Sequence, residues 1–270
     1  MEEIKRYQIR GLPNSVVRVR FGERIVDYWA PPSRSEHLLI AHDGQNIFDR
    51  KTATKFSTWK LAEKATQVAT ELGEKPPAII AIFHSKSKSD PHGRARDLCP
   101  EDPFHNGIAP VAPAKFELND LRANSYLAQI FEEIIPSISK ENNLEVAPAN
   151  RAMIGSSLGG LATLYAAINF SKEFHTSLSL SPHWTLAGNP LVDWMIPKLP
   201  NQRTHRIWMS RGTKGYDAEY QPFQNKADKL MRNLGWDEER FKSHVFAGAA
   251  HNERAWSRQI KEPLTFWLNC

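Results

Sequence analysis

The chain of 270 residues is 41% hydrophobic and 24% charged, a composition that supports an ordinary globular protein with a sizeable core. Its length fits a single α/β domain, residues 1–270, better than two domains. The net charge of +5 comes from basic residues that are scattered and often adjoin acidic ones, so we expect no nucleic-acid partner.

Membrane insertion, secretion and metal binding are not indicated either. No segment approaches membrane-spanning length, and the charged N-terminus leads into no apolar core of the kind that a secretory signal has. The two cysteines, Cys99 and Cys270, make a poor disulfide framework, and nothing resembles paired metal-ligand spacing. We therefore expect a cytoplasmic protein without a membrane anchor, a structural metal or a cofactor.

The first elements in chain order are a hairpin, two buried strands and the helix between those strands. Residues 16–30 alternate apolar and polar side chains around a Phe-Gly-Glu turn, which predicts an antiparallel hairpin at a sheet edge. Residues 37–41 and 78–83 are nearly continuous apolar runs, typical of parallel strands that are covered on both faces. Residues 59–72 carry apolar side chains at helical intervals. The polar residues 42–49 directly follow the first buried strand, where loops commonly carry function.

A long irregular segment separates these elements from the centre of the chain. Residues 84–115 are rich in Pro, Ser, Gly and charge, lack a clear period and are long for a connection, so we predict a functional loop or cap. Residues 121–138 resume a helical pattern. They lead to a short apolar strand at residues 152–154, which is followed by a Gly-Ser-Ser-Leu-Gly-Gly turn and another helix.

Strands and helices continue to alternate up to the C-terminus. The remaining predicted elements are, in chain order, a strand (176–181), a helix (189–196), a strand (205–210), a helix (219–234), a strand (243–246), a loop (247–253) and a C-terminal helix. This order predicts an α/β fold with a mostly parallel central sheet, helices on both faces and an antiparallel N-terminal hairpin.

The turn after the central strand places Ser157 between two glycines, Gly155 and Gly159. Gly-x-Ser-x-Gly between a strand and a helix is typical of a nucleophile elbow, in which the glycines leave room for a strained backbone and the hydroxyl projects outwards. The five-residue pattern alone arises by chance in about one chain in thirty of this length. The interpretation as a nucleophile elbow therefore depends on the strand and the helix that flank the pattern. The neighbouring Ser156 lacks glycines at the required positions.

His251 is the predicted base for this serine. A serine hydroxyl is a weak nucleophile at neutral pH, so it needs a base that is oriented by an acid. In the expected chain order of serine, acid and histidine, the base lies near the C-terminus, and His251 follows the last predicted strand among small residues. A solvent-exposed or helix-capping histidine is the alternative interpretation.

The acid should follow the predicted strand that ends at Ser210. Asp217 and Glu219 are the carboxylates within reach, and the shorter Asp217 lies nearer to the strand end. An aspartate just before a helix is often simply an N-cap. Asp217 is therefore preferred as the acid, and Glu219 stays open as the alternative.

An acyl-transfer site also needs hydrogen-bond donors for the developing oxyanion. The backbone N–H of Leu158, at the start of the elbow helix, is one predicted donor. The N–H of Gln45 is the other, because Gly44 allows the Asp43-Gly44-Gln45 loop to approach closely. We also predict that Asp43 and Gly44 contact the substrate.

Side chains elsewhere are candidates for the wall of the substrate pocket. Trp184 and His183 follow a predicted strand end, and we predict that Trp184 contacts the substrate. Arg94 and Arg96 lie in the long irregular segment, where they are placed to meet an anionic substrate. Core packing of Trp184 and ion pairs between the arginines and nearby aspartates are the alternatives.

Several pieces of the sequence carry a family resemblance. They are Leu-Leu-Ile-Ala-His-Asp-Gly-Gln-Asn-Ile-Phe-Asp (38–49), Gly-Ser-Ser-Leu-Gly-Gly (155–160), Ser-Pro-His-Trp (181–184), Arg-Gly-Thr (211–213) and His-Asn-Glu-Arg-Ala-Trp (251–256). Together they resemble the esterase branch of the α/β-hydrolases, which includes enterochelin esterases, feruloyl esterases and mycolyltransferases. The resemblance runs from about residue 15 to the C-terminus. It implies an α/β-hydrolase fold in which Ser157 is the nucleophile, His251 the base, and Gln45 and Leu158 the oxyanion donors.

Gly215 departs from this resemblance. Many relatives carry the acid two residues after the Gly-Thr pair, at the position of Gly215, which moves the predicted acid downstream to Asp217. The resulting prediction is a serine esterase for a small-molecule ester, in which water releases an acyl-enzyme formed on Ser157. Acyl transfer to another alcohol through the same acyl-enzyme is one alternative. A non-catalytic binding protein with a hydrolase fold, favoured by the departure at Gly215, is the other.

Overall fold

A central sheet organises the protein, for which a computed structural model describes residues 1–85, 87–112 and 116–269. The strands of these residues are, in chain order, β1 (Glu2–Tyr7), β2 (Val16–Phe21), β3 (Arg24–Trp29), β4 (Leu38–Ala41), β5 (Ala78–Ile82), β6 (Arg151–Ser156), β7 (Thr176–Leu180), β8 (Arg206–Lys214) and β9 (Phe241–Ala250). They form one sheet in the spatial order β1-β2-β3-β5-β4-β6-β7-β8-β9.

The sheet is antiparallel at its N-terminal end and parallel elsewhere. The pairs β1-β2, β2-β3 and β3-β5 are antiparallel, whereas the pairs from β5-β4 to β8-β9 are parallel. The mostly parallel sheet and its antiparallel N-terminal hairpin are confirmed. β1 was not predicted, because five of its six residues are exposed and its charged sequence lacks apolar alternation.

Helices cover both faces of the sheet. In the described residues they are α1 (Leu61–Leu72), α2 (Gly93–Leu98), α3 (Glu101–His105), α4 (Ala123–Ala128), α5 (Ile135–Asn142), α6 (Leu158–Asn169), α7 (Asn189–Met195), α8 (Tyr216–Glu219), α9 (Gln221–Asn233), α10 (Glu253–Gln259) and α11 (Lys261–Leu268). Successive strand residues point to opposite faces, so Leu38 and Ile40 pack on the side of α6, and Leu39 and Ala41 on the side of α1. This double burial explains the continuous apolar runs in the sequence.

The helices of the middle of the chain are less regular than predicted. The segment 84–115 contains α2 and α3, which are too short to show a helical period in the sequence. The predicted helix at residues 121–138 consists of α4 and α5 joined by a π-helical segment, Gln129–Ile134. Lys86 and residues 113–115, which belong to the predicted loop or cap, lie outside the described residues.

The last strand is longer than the sequence indicates. β9 continues to Ala250 through most of the segment 247–253 that was predicted as a loop, and Ala250 lies opposite Lys214 of β8. Its small residues hide the strand, since they show no apolar alternation. β9 therefore ends immediately before His251.

The described residues offer no membrane-spanning helix and no metal cluster. None of their helices is both long enough and apolar enough to cross a bilayer. Likewise, none of their groups of three or more His, Cys, Asp or Glu side chains is arranged to hold a metal ion. Cys99 is a buried free thiol, and Cys270, on which the disulfide argument also relied, is outside the described residues.

Candidate active site

Ser157 occupies a strained turn between β6 and α6. Its φ of 57° and ψ of −121° lie in a region that non-glycine residues rarely adopt. The turn requires glycine at position 155, because a Cβ there would lie 2.3 Å from the carbonyl oxygen of Gly159. Ser157 is only 9% exposed. The strand, sharp turn and helix are therefore present where the sequence predicts them.

His251 and Asp217 meet across the carboxyl ends of β8 and β9. The Nδ1 of His251 lies 2.6 Å from Oδ1 of Asp217, and the Asp217 side chain is almost fully buried. With Nδ1–H donating to the carboxylate, Nε2 is left to accept a proton. The alternative acid, Glu219, is exposed at the end of α8. This geometry favours Asp217 as the partner of His251.

The second oxygen of the Asp217 carboxylate is held by further donors. The backbone N–H of Gly212 donates to Oδ2 over 2.7 Å, and the hydroxyl of Ser181 donates to it over 3.0 Å. Ser181 in turn accepts a hydrogen bond of 3.1 Å from the indole N–H of Trp256. These contacts hold the plane of the carboxylate, so Oδ1 faces His251 in a defined orientation.

Aromatic rings enclose the imidazole of His251. The rings of Tyr220 and Trp256 pack edge to face against it, with centroid distances of 5.4 Å and 4.9 Å. Tyr216 makes a similar contact at 6.1 Å. The side chain of His251 is 14% exposed. The ring is thus oriented by packing as well as by Asp217.

The two predicted oxyanion donors lie at helix N-termini. Leu158 is the first residue of α6, so its N–H has no partner within the helix. Gln45 is the middle residue of a short 3₁₀ helix, Gly44–Asn46, where the N–H is likewise left without a partner from the helix itself. A Cβ at Gly44 would lie 2.5 Å from the carbonyl oxygen of Ala81, so glycine allows this helix to pack directly on β5.

Asp43 anchors this 3₁₀ helix to the segment that was predicted as a loop or cap. Arg94 binds its carboxylate through two hydrogen bonds of 2.8 Å and 2.6 Å. Burial opposes ionisation of Asp43, but the charge and the hydrogen bonds of Arg94 outweigh it and lower the pKa of Asp43 to about 2. Asp43 is 2% exposed, a burial that fits a structural anchor better than the predicted substrate contact. Gly44 is buried in the same way.

Trp184 does not reach the surface of the site. Its side chain is fully buried in the core, and its indole N–H donates to the side-chain oxygen of Gln224 over 3.2 Å. The prediction that Trp184 contacts the substrate does not fit this burial, and core packing, the alternative, describes its position. Arg96 pairs with Asp90 and Asp120 on the surface of the segment 84–120.

A group of hydroxyls beside Ser157 was missed in the sequence. The hydroxyl of Tyr220 hydrogen-bonds Nδ1 of His183, and the side chains of Thr185 and Ser157 lie near it. We call these four residues the hydroxyl cluster. Burial, together with the neighbouring basic groups of His251 and Arg94, lowers the pKa of His183 to about 4, so this imidazole is neutral near pH 7. Tyr220 lies in an ordinary helical pattern that gives no sign of this contact. The only sequence signal near the hydroxyl cluster is the Ser-Pro-His-Trp piece (181–184), which contains His183.

Over the ranges that the structure describes, the hydroxyl of Ser157 is not hydrogen-bonded to the proposed base, His251. Such a bond often tightens only when the substrate is bound.

Comparisons with known proteins agree with this architecture. The sequence model of a family described as "Putative esterase" matches residues 24–266. "Uncharacterized protein YbbA" from Bacillus subtilis (strain 168) is 26% identical over 271 residues, which cover 95% of this chain and 97% of that protein.

Solved structures show the same fold at low sequence identity. The BES protein from Bacillus cereus has a TM-score of 0.65 at 16% identity and covers 98% of this chain and 99% of its own. The siderophore hydrolase EstA from Aspergillus nidulans has a TM-score of 0.63 at 18% identity, covering 92% and 93%. An enterobactin hydrolase, IroE, in complex with DFP has a TM-score of 0.63 at 17% identity, covering 92% and 90%. The predicted α/β-hydrolase fold is confirmed.

Proposed function

This chain belongs to the Putative esterase family, which makes it a carboxylic ester hydrolase, and we propose that it hydrolyses its ester through an acyl-enzyme on Ser157. His251 is the general base and Asp217 is the acid that orients it. The observation that carries the proposal is the 2.6 Å contact between His251 and Asp217, beside a serine in a strained turn at a helix N-terminus. A buried carboxylate fixes the tautomer in which Nε2 is free to accept a proton.

The proposed reaction begins when the hydroxyl of Ser157 forms a hydrogen bond to Nε2 of His251. Its oxygen attacks the acyl carbonyl carbon while Nε2 of His251 takes the hydroxyl proton. The N–H groups of Leu158 and Gln45 stabilise the oxyanion of the tetrahedral intermediate. His251 then gives its proton to the departing alcohol, and water, activated by the same imidazole, releases the acid and restores the serine.

The position of Asp217 argues against the alternative of a non-catalytic protein with a hydrolase fold. That alternative rested on Gly215, which stands where many relatives have the acid. Two residues further on, Asp217 contacts His251 and is held by two additional donors. Position 215 is therefore no argument against catalysis, because the chain supplies a carboxylate from the first turn of α8.

A fluorophosphonate probe tests the proposed nucleophile. We expect the folded protein to be labelled covalently on one serine, and Ser157→Ala to abolish both the label and ester turnover. Ser156→Ala is the matched control, since Ser156 is the adjacent buried serine at the end of β6 and should keep the label. Labelling that persists in Ser157→Ala, or a folded wild-type protein that takes no label and releases no acid from any ester, would refute the proposal.

A further inference from the structure

A small apolar pocket lies between residues 99–112, residues 116–121 and the loop that follows β7. Its volume is about 230 Å³. Most of its wall is aliphatic or aromatic, from Phe104, Ala112, Phe116, Leu118, Leu121 and Leu186. A wall of this composition favours groups that lose little by leaving water.

The pocket adjoins the proposed nucleophile through the hydroxyl cluster. His183 and Thr185 belong both to the pocket wall and to that cluster. The backbone N–H of His183 also donates to the carbonyl oxygen of Ser157 over 3.2 Å. By contrast, a larger groove of about 760 Å³, lined by residues of β8, β9 and α11, shares no described residue with the proposed triad or the hydroxyl cluster. The smaller pocket is therefore the one placed to hold part of an ester at Ser157.

The polar groups of the wall are neutral near pH 7. Burial raises the pKa of the Cys99 thiol to about 12 against the opposing charge of Arg94. Burial lowers the pKa of the His183 imidazole to about 4, with further contributions from the neighbouring basic groups of His251 and Arg94. Among the described lining residues, none is a carboxylate, lysine or arginine. A charged group would thus lose its hydration without gaining a partner of opposite charge.

The volume limits the size of the bound group. An apolar cavity of about 150 Å³ is enough to bind benzene, whereas pockets for drug-sized ligands measure about 300–1,000 Å³. At about 230 Å³, this pocket matches one ring or a short chain. An ester that carries several rings cannot place more than one of them there.

We propose that this pocket receives one compact, uncharged apolar group of the ester, a single ring or an aliphatic chain of about six carbons. The inference rests on the proposed esterase function and adds a substrate class to it. Because both the acid and the alcohol of an ester can carry such a group, the shared chemistry is an apolar substituent next to the scissile bond.

Two isomeric series of esters identify the side that enters the pocket. Ethyl esters from acetate to decanoate vary the acid, and acetates from ethyl to decyl vary the alcohol, with acid release measured by pH-stat. We expect kcat/KM to rise by about fourfold per methylene in one series up to about six carbons and then to fall. Ethyl hexanoate and hexyl acetate have the same formula, so their ratio identifies the side directly.

Substitutions in the pocket wall test whether the apolar group of the ester binds there. Ala112→Phe narrows the pocket and should lower the preference for the six-carbon ester over ethyl acetate by at least about tenfold. Phe116→Ala should move the optimum to longer chains. Val111→Phe is the matched control, because Val111 precedes Ala112, is 71% exposed and is outside the lining. It should leave the chain-length profile unchanged.

A binding readout that needs no turnover separates this inference from the esterase function. Saturation-transfer NMR should detect benzyl alcohol bound to Ser157→Ala, with the signal lost when Ala112→Phe is added and kept when Val111→Phe is added. Binding in that pattern, together with no acid release from any ester by the wild type, would reject the esterase function and keep the pocket. The pocket assignment is overturned if benzyl alcohol does not bind, if the two phenylalanine variants behave alike, or if large charged esters are preferred.

Discussion

Asp43 and Asp217 are two buried carboxylates beyond strand ends at the same edge of the sheet, and they meet different partners. Asp43, after β4, is bound by the guanidinium of Arg94, whose charge holds the pKa of Asp43 at about 2. Asp217, after β8, faces the imidazole of His251 and two neutral donors. Both residues are at most 2% exposed.

The difference between these partners separates a structural carboxylate from a proposed catalytic one. A guanidinium stays protonated at all ordinary pH values, so the pair of Asp43 and Arg94 is static. An imidazole can gain and lose a proton near neutral pH, so the contact of Asp217 can serve a reaction. Burial alone therefore does not identify the acid of a triad, and the chemistry of the partner does.

The largest expected effect comes from removing the negative charge of Asp217. We expect Asp217→Asn to lower kcat by about 10⁴-fold, the loss known for this change in serine-protease triads, because the amide favours the wrong tautomer of His251. Steady-state ester hydrolysis measures it. Glu219→Gln is the control and should retain activity. Equal losses in the two variants would contradict the assignment of the acid.

Removing the charge of Asp43 should act on stability instead. We expect Asp43→Asn to lower the free energy of unfolding by about 2–3 kcal/mol, since it leaves the guanidinium of Arg94, 31% exposed, without its counter-charge. Urea titration at pH 7 measures the change. A variant as stable as the wild type but catalytically dead would show that Asp43 is not primarily structural.

The hydrogen bonds that hold the Asp217 carboxylate predict a smaller effect on kcat. Ser181→Ala removes one of the donors to Oδ2 and should lower kcat by about tenfold with little change in KM, since one hydrogen bond to a charged group is lost. Ser179→Ala is the matched control, because Ser179 is a buried serine two residues earlier, on β7, whose hydroxyl donates to the carbonyl oxygen of Gly160 instead. A positioning role for Ser181 would be contradicted if both variants lost kcat in the same proportion to their loss of thermal stability.

The smallest expected effect concerns acid pH and Asp43. Its pKa is about 2 in the folded protein, against the ordinary value of 3.8. A lowered carboxyl pKa stabilises the fold above the ordinary pKa, and this contribution is lost as the pH falls towards the folded value. We expect the stability difference between wild type and Asp43→Asn to shrink by about 1 kcal/mol from pH 6 to pH 3. Urea titrations across that range test it, and a constant difference would be the contrary result.

Elements with local signals can be predicted from the amino-acid sequence alone. The apolar runs of β4 and β5 follow from burial on both faces, and Gly155, two residues before Ser157, follows from the crowding of one turn. His251 could be proposed because it follows the last strand. These features depend on a few consecutive residues, so their physical causes are readable without the rest of the fold.

Contacts between side chains that are distant in the chain can be read only from the folded structure. Asp217 and His251 are 34 residues apart, and the parallel register of β8 and β9 brings them together. The burial of Trp184 and the position of Tyr220 beside Ser157 depend in the same way on how helices pack on the sheet. Composition and periodicity cannot indicate such contacts, because each is set by the geometry of segments that are distant in the chain.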